Sequence, residues 1–298
     1  MRKPVVAGVD GSRESLAAAH WAAREALRRG LPLHLVHAWE GLPEEDTPAP
    51  LPEMRVPQAH ARRVLRSAAD RLDELYPQLT ITTEQVCEAP GPALLRAARD
   101  AELLVVGSRG QGQVGGFVSG SVALATAAHA ERPLVLVRAG ETAEAEHLPD
   151  GTGRPSVRTA HRDVAVAVDV GRPCDDVLEF AFHAAELRRA PLRVLHAWHV
   201  PLTRGVPDAD QRARVKRAAE REVAALLEPW RAKFPTVVVQ DTLHEGRAAH
   251  VLVRAASGAG LLVVGRRRRR TAVGSHTGPV AHALIHQVGR PVALVPHD

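Results

Sequence analysis

Asp10 recurs as Asp169, and the tripeptide His37-Ala38-Trp39 recurs as His196-Ala197-Trp198, both at a shift of 159 residues. Leu103-Leu104-Val105-Val106-Gly107 returns as Leu261-Leu262-Val263-Val264-Gly265 at a shift of 158, and Arg132-Pro133 returns as Arg290-Pro291 at the same shift. Four landmarks in one order, with one residue of drift, identify a tandem duplication. The fold of the first half is therefore the fold of the second. At 298 residues the chain is long enough for two domains, each burying its own core. The repeat places them at 1–139 and 161–298. Residues 140–160, rich in Glu, Pro, Gly and Thr without apolar periodicity, read as a linker.

Within the first copy, short apolar runs alternate with stretches of helical spacing. Val5 to Val9 (VVAGV) reads as a buried strand, followed by Asp10-Gly11-Ser12 as a turn and helix N-cap. Ser15 to Arg29 has helical spacing at Leu16, Ala19, Ala23, Ala26 and Leu27, ends on basic residues and stops at Gly30. Further strands are predicted at Leu33 to Trp39, Thr80 to Val86, Leu103 to Val106 and Leu134 to Val137. Helices are predicted within Pro57 to Leu75, at about Pro92 to Ala98, and from Ser121 onward. Strand followed by helix throughout implies parallel βα units around a buried sheet, an α/β fold. Aromatic residues are only 3% of the chain, so Val, Leu and Ala must build the cores.

The segment Leu103 to Val137 carries the chemistry. Its strand leads into a glycine-rich loop spaced Gly107-x-x-Gly110, nine residues, then Gly120-Ser121 at a helix start. Glycines let several backbone N–H groups converge on one anion, and a helix N-terminus adds positive potential, so a phosphate site is expected. Gly110 would admit a phosphate close to the backbone, and Ser121 adds a hydroxyl. Asp10 is acceptor-only when ionised and suits ribose or adenine donors better than phosphate; its other reading is a turn or N-cap residue. For the loop, the other reading is a turn without a ligand. Gly110-Gln111-Gly112-Gln113-Val114-Gly115 matches GxGxxG, but it follows the fourth strand and lacks the later acidic partner of a dinucleotide site. No GKS or GKT follows a glycine run, which excludes a P-loop.

Over both halves the sequence resembles the universal stress protein family, on the motif G-2x-G-9x-G-(S/T), an aspartate after the first strand and a histidine-bearing second strand. The resemblance implies two tandem open five-stranded parallel sheets of order 3-2-1-4-5, flanked by helices, of the adenine nucleotide alpha hydrolase-like type. It implies ATP at the carboxyl ends of the strands. Gly107, Gly110, Gly120 and Ser121 would hold phosphates and ribose, Asp10 would contact the nucleoside, Ala38 would offer backbone atoms to adenine, and Val106 and Val122 would join the site. Mg²⁺ would accompany ATP through its phosphate oxygens. The resemblance further implies nucleotide-dependent stress sensing, protein partners in stress signalling, pairing of the domains through Leu134 to Val137 and Val292 to Val295, and a homodimer. The loop supplies no general base or in-line metal cage, so fast ATP hydrolysis is not expected. A slow ATPase or nucleotidyl-transfer enzyme of the same fold, and a ligand-free interaction module, are the alternatives.

The second copy of the loop reads Gly265-Arg266-Arg267-Arg268, nine residues, then Gly278-Pro279. Arg268 in place of the second glycine would cost on the order of 1–2 kcal/mol if that site needs a left-handed backbone, and its side chain would fill the phosphate space. Pro279 has no N–H to give, although proline suits a helix start. This copy is expected to bind ATP weakly or not at all. The run Arg266 to Arg270 reads either as an anion clamp or as a solvated, self-repelling loop. No aromatic is interleaved with it, which argues against a single-strand stacking platform.

A net charge of +5 over the whole chain is modest, and nucleic acid is not an expected partner. Cys87 and Cys174 are far apart and form no CxxC, which points to a reducing compartment without a disulfide framework. The N-terminal apolar run is too short for a signal sequence or a membrane span, so a cytoplasmic protein without membrane partners is the expectation. His34/His37 and His196/His199 fall on or just after strands with side chains on opposite faces, and His282/His286 lack the glutamate of a zincin, so no metal site is expected. There is no GxSxG nucleophile elbow. Trp39 and Trp198 read as packing residues.

Overall fold

The computed structural model describes residues 2–40, 55–109, 121–200, 209–268 and 277–298. They divide into two compact units, Met1–Ala143 and Glu144–Asp298.

The first unit runs β1 (Val5–Gly8), α1 (Arg13–Arg29), β2 (Leu33–Trp39), α2 (Arg55–Leu75), β3 (Ile81–Cys87), α3 (Pro90–Arg99), β4 (Leu103–Ser108), α4 (Ser121–His129) and β5 (Leu134–Arg138). Every strand pairing in it is parallel, in the order β3-β2-β1-β4-β5, which is the 3-2-1-4-5 arrangement. Parallel neighbours need crossover helices, and right-handed crossovers put α1 and α2 on one face and α3 and α4 on the other. Accordingly α1 packs on β1, β4 and β5, α2 on β2 and β3, and α3 on β1, β2 and α4. Covered on both faces, β1, β4 and β5 are near-continuous runs of buried Val and Leu. At the edge, β3 carries the exposed Thr82, Thr83 and Glu84, a polar border that discourages further strand pairing.

Local signals explain the ends of α1. The Ser12 hydroxyl caps it by accepting from the Ser15 amide (3.2 Å), and Gly30 ends it in the left-handed region (φ 62°). Near that end Glu25 is fully buried, and its charge is met by Arg29 (2.7 Å) and Arg28 (3.3 Å).

The second unit repeats the plan with β6 (Val164–Val168), α5 (Asp175–Arg188), β7 (Leu192–Trp198), α6 (Ala209–Lys233), β8 (Val239–Glu245), α7 (Ala248–Ala255), β9 (Leu261–Arg267), α8 (Pro279–Gln287) and β10 (Val292–His297). Its strands are parallel in the order β8-β7-β6-β9-β10, again 3-2-1-4-5. Three of its few aromatics gather where α5 meets α6: Phe182 stacks with Phe234 at 5.3 Å and with Trp230 at 5.9 Å between ring centroids. Residues 144–160 carry more structure than their composition indicates. A 3₁₀ turn at Glu144–Glu146 buries Glu146, the Leu148 amide donates to the Ala160 carbonyl (2.9 Å), and the Arg162 amide donates to the Glu146 carbonyl (2.9 Å). Among the described residues, no helix is long and apolar enough to cross a membrane.

Candidate functional site

Open parallel sheets bind ligands outside the carboxyl ends of their strands, at the point where the strand order reverses. In the first unit that point lies between β1 and β4. Gly8 pairs with Val36 and Ala7 with Val105, so Asp10, Ala38 and Gly107 emerge at nearly one level across β1, β2 and β4. Val106 is buried beneath them, while Val122 is half-buried in the first turn of α4. Gly110 and Gly120 lie outside the described residues, as does the side chain of Ser121, which is placed only as the first residue of α4.

Asp10 sits in a turn built from its own neighbours. Its Oδ1 accepts from the Ser12 amide (2.9 Å), and its amide donates to Ser15 Oγ (3.2 Å). Partial burial pushes the carboxyl up, but the hydroxyls of Ser12 and Ser15 and the amides of Ser12 and Asp10 outweigh it, holding the pKa below the usual carboxylate value. The group is therefore an ionised acceptor at neutral pH, exposed at the strand ends, and fits hydroxyl or amino donors. Ser12, not Asp10, caps α1.

Gly107 has a different basis from a flexible phosphate loop. It does not have a positive φ, and a Cβ there would fall 2.5 Å from the backbone carbon of Glu14 and 2.6 Å from the Ser15 nitrogen. The first turn of α1 crosses the end of β4 so closely that only glycine fits. The duplicated histidines also have a structural role. His37 Nδ1 donates to the Val9 carbonyl (2.6 Å) and His196 Nδ1 to the Val168 carbonyl (3.1 Å), tying β2 to the end of β1 and β7 to the end of β6. Burial holds the His37 pKa below the usual imidazole value, against the opposing pull of the Val9 carbonyl and the Asp10 carboxylate. His34 turns the other way, to Thr82 (2.8 Å) and Glu84 (3.0 Å).

The second unit holds a cavity of about 1000 Å³ at the same end of its sheet. Applying the repeat shift to the expected first-unit site gives Asp169 for Asp10, Ala197 for Ala38, Val264 and Gly265 for Val106 and Gly107, and Gly278, Pro279 and Val280 for Gly120, Ser121 and Val122. All seven line this one cavity. Arg268, at the position of Gly110, is not among the described lining residues. Its amide donates to the His297 carbonyl (2.8 Å) and its guanidinium reaches Asp298 (3.4 Å) in solvent, so it does not fill the phosphate space. Nor is its backbone left-handed, because Arg189 is the only described non-glycine residue with positive φ. The arginine run divides by strand alternation: Arg266 is buried on one face, and Arg267 lines the cavity on the other.

Several lining residues lie outside the motif: Arg172, Cys174, His199, Arg247 and His297. Reading the repeat shift across the whole loop edge, rather than the motif alone, would have found them. Cys174 is chemically quiet there, because burial and the neighbouring Asp175 and Asp169 charges push its thiol up to about 11.

A family model described as the universal stress protein family matches residues 1–138 and 161–296. The chain belongs to the universal stress protein family, as a tandem pair of its domains. A universal stress protein of Mycobacterium tuberculosis is 31% identical over 302 residues, covering 97% of this chain and 96% of that protein. Among solved structures, a universal stress protein from Archaeoglobus fulgidus covers 100% of both chains with a TM-score of 0.70 at 14% identity, a likeness of fold. A universal stress protein solved in complex with cAMP is 28% identical over 47% of this chain and 98% of that one, with a TM-score of 0.36.

Proposed function

We propose that the first unit binds ATP, with Mg²⁺ carried on the phosphates, and that its occupancy regulates protein partners in a cytoplasmic stress response. One observation carries the reading: seven counterparts of the expected site residues converge on a single cavity in the second unit, at the carboxyl ends of its strands. The first unit has the same strand order and keeps Gly110 and Ser121, which the second has exchanged for Arg268 and Pro279. In that arrangement Asp10 accepts from ribose or adenine, the Ala38 backbone borders the base, and Gly107, Gly110, Gly120 and Ser121 bring amides and a hydroxyl to the phosphates, with Val106 and Val122 alongside. An ionised Asp10 suits that place because it accepts only.

The test is nucleotide extraction from purified protein, together with thermal unfolding with and without ATP and Mg²⁺. About one adenine nucleotide per chain is expected, and ATP at about a hundredfold over its Kd stabilises by about 2.7 kcal/mol. Asp10→Ala, which removes the carboxylate acceptor offered to the nucleoside, is expected to reduce both, with ATP affinity falling roughly tenfold. Protein that carries no adenine nucleotide and shows no ATP-dependent shift overturns the proposal. Sustained ADP release above about 1 s⁻¹ would replace regulation with catalysis.

A further inference from the structure

The second-unit cavity has the volume of a ligand site, and its charge is opposite to that of its counterpart. Among the described residues its charged lining is Arg172, Arg247 and Arg267 against Asp169. The repeat shift puts Arg13, Ala89, Arg109 and Asp10 at those places in the first unit, and puts the carboxylates Glu14 and Glu40 where the second unit has Pro173 and His199. Three arginines over one carboxylate thus stand where the first unit has two arginines over three carboxylates. Divergence has changed what the edge of the sheet attracts, while the sheet has stayed the same.

Arg172 is occupied with Asp169, 3.2 Å away. Arg247 and Arg267 are exposed to the cavity, and neither is paired with a carboxylate among the described residues. Two guanidiniums with unused donors match one doubly charged group such as a phosphate, which each can hold in a two-pronged bond. Arg247 also stands at the N-cap of α7, and Gly278 at that of α8; both line the cavity and neither helix start is capped by a side chain, so α7 and, beyond Pro279, α8 leave first-turn backbone N–H groups at its edge. The floor is apolar, formed by Val168, Val177, Val200, Leu252 and Val264. A bare phosphate would leave this floor uncovered.

We propose that the cavity of the second unit is a separate site for a phosphorylated small organic molecule, with Arg247 and Arg267 holding the phosphate and an apolar body lying on the valine floor. The arginines supply the positive charge that a divalent cation would otherwise bring, so binding needs no metal. The site does not depend on ATP in the first unit, and either can fail without the other.

The experiment is calorimetric titration of the full chain with 1-naphthyl phosphate in EDTA, with uncharged 1-naphthol as the comparison. One molecule per chain is expected to bind, at least about tenfold tighter than 1-naphthol. Arg247→Ala/Arg267→Ala is expected to weaken the phosphate about a hundredfold, roughly tenfold for each charge-assisted contact, with 1-naphthol unaffected. Both arginines are exposed, so the variant should melt with the wild type; Arg247→Gln/Arg267→Gln keeps the test open if it does not. No binding of 1-naphthyl phosphate by the wild type overturns the proposal, as does equal affinity for 1-naphthol, or a double variant that binds within about threefold of wild type.

Discussion

Gly107 and Gly265 occupy the same place in the two copies, and different neighbours exclude a side chain from each. At Gly107 a Cβ would meet the backbone of Glu14 and Ser15 at 2.5–2.6 Å, and a helix turn cannot step aside locally. At Gly265 the tightest neighbour is the His297 imidazole, at 2.7 Å, which can swing away. Gly107→Ala is therefore expected to cost about 2–3 kcal/mol and Gly265→Ala under about 1 kcal/mol, read from urea unfolding of each variant. Equal costs would show that the close approach of α1 to β4 is not what selects glycine. The glycine spacing marks Gly107 as a position without a side chain, but the reason is set by an element ninety residues earlier in the chain, and no local spacing contains it. Arg268 teaches the converse. Its size and charge suggest a blocked loop, yet continued pairing with β10 sends its guanidinium to Asp298 and leaves the cavity open.

At the scale of elements, legibility follows burial. The strands beneath two helical layers announce themselves as uninterrupted Val and Leu, and the caps of α1 are legible because Ser12 and Gly30 act within a few residues of themselves. The loop edge is less legible because its function comes from side chains on separate elements. Arg247 and Arg267 come to one cavity only through the fold, and a run of five arginines conceals that strand alternation puts Arg266 and Arg267 on different faces. The ties between strands were likewise hidden in a repeated tripeptide. His37 bonds the Val9 carbonyl through Nδ1–H, a bond the neutral ring makes, and its lowered pKa means that the unfolded chain takes up the proton first. Its contribution is complete above about pH 6.5 and is lost as the pH falls from there towards the lower folded value. His20, lowered by burial and by Arg24 and Arg71, acts with the same sign. The urea midpoint should fall between pH 7 and pH 5.5, and His37→Asn, which keeps a donor near Nδ1 but does not titrate, should flatten that slope. An unchanged slope in the variant would remove His37 from the account.

Across the whole molecule, duplication preserved the sheet and released its edges. Both units keep the same strand order, while around the strand ends the second unit has histidine and proline where the first has carboxylates, and an arginine where the first has alanine. A chain built this way can answer two different phosphorylated ligands with one architecture, one with a metal and one without, provided each unit is a folding unit in its own right. Where the second unit begins is then a physical question. Counted from the repeat it starts at residue 161, but its contacts start earlier: Glu146 is buried, its carbonyl accepts from the Arg162 amide, the Ala160 carbonyl accepts from the Leu148 amide, and Arg290 donates to the Ala145 carbonyl (3.1 Å). The rings of His147 and His161 lie 4.0 Å apart across the same bridge. Removing residues 144–160 deletes two hydrogen bonds to the rest of the unit, from the Arg162 amide to Glu146 and from Arg290 to Ala145, of about 1 kcal/mol each, together with the burial of Glu146, partly offset by the entropy of seventeen residues no longer ordered. A fragment of residues 144–298 is therefore expected to exceed one of residues 161–298 in stability by on the order of 1–3 kcal/mol, or roughly 3–10 °C in Tm for a chain of this length. Calorimetry of the two fragments measures the difference directly. Equal melting temperatures would make the stretch a tether that merely lies on the second unit, and the unit would then start where the repeat does.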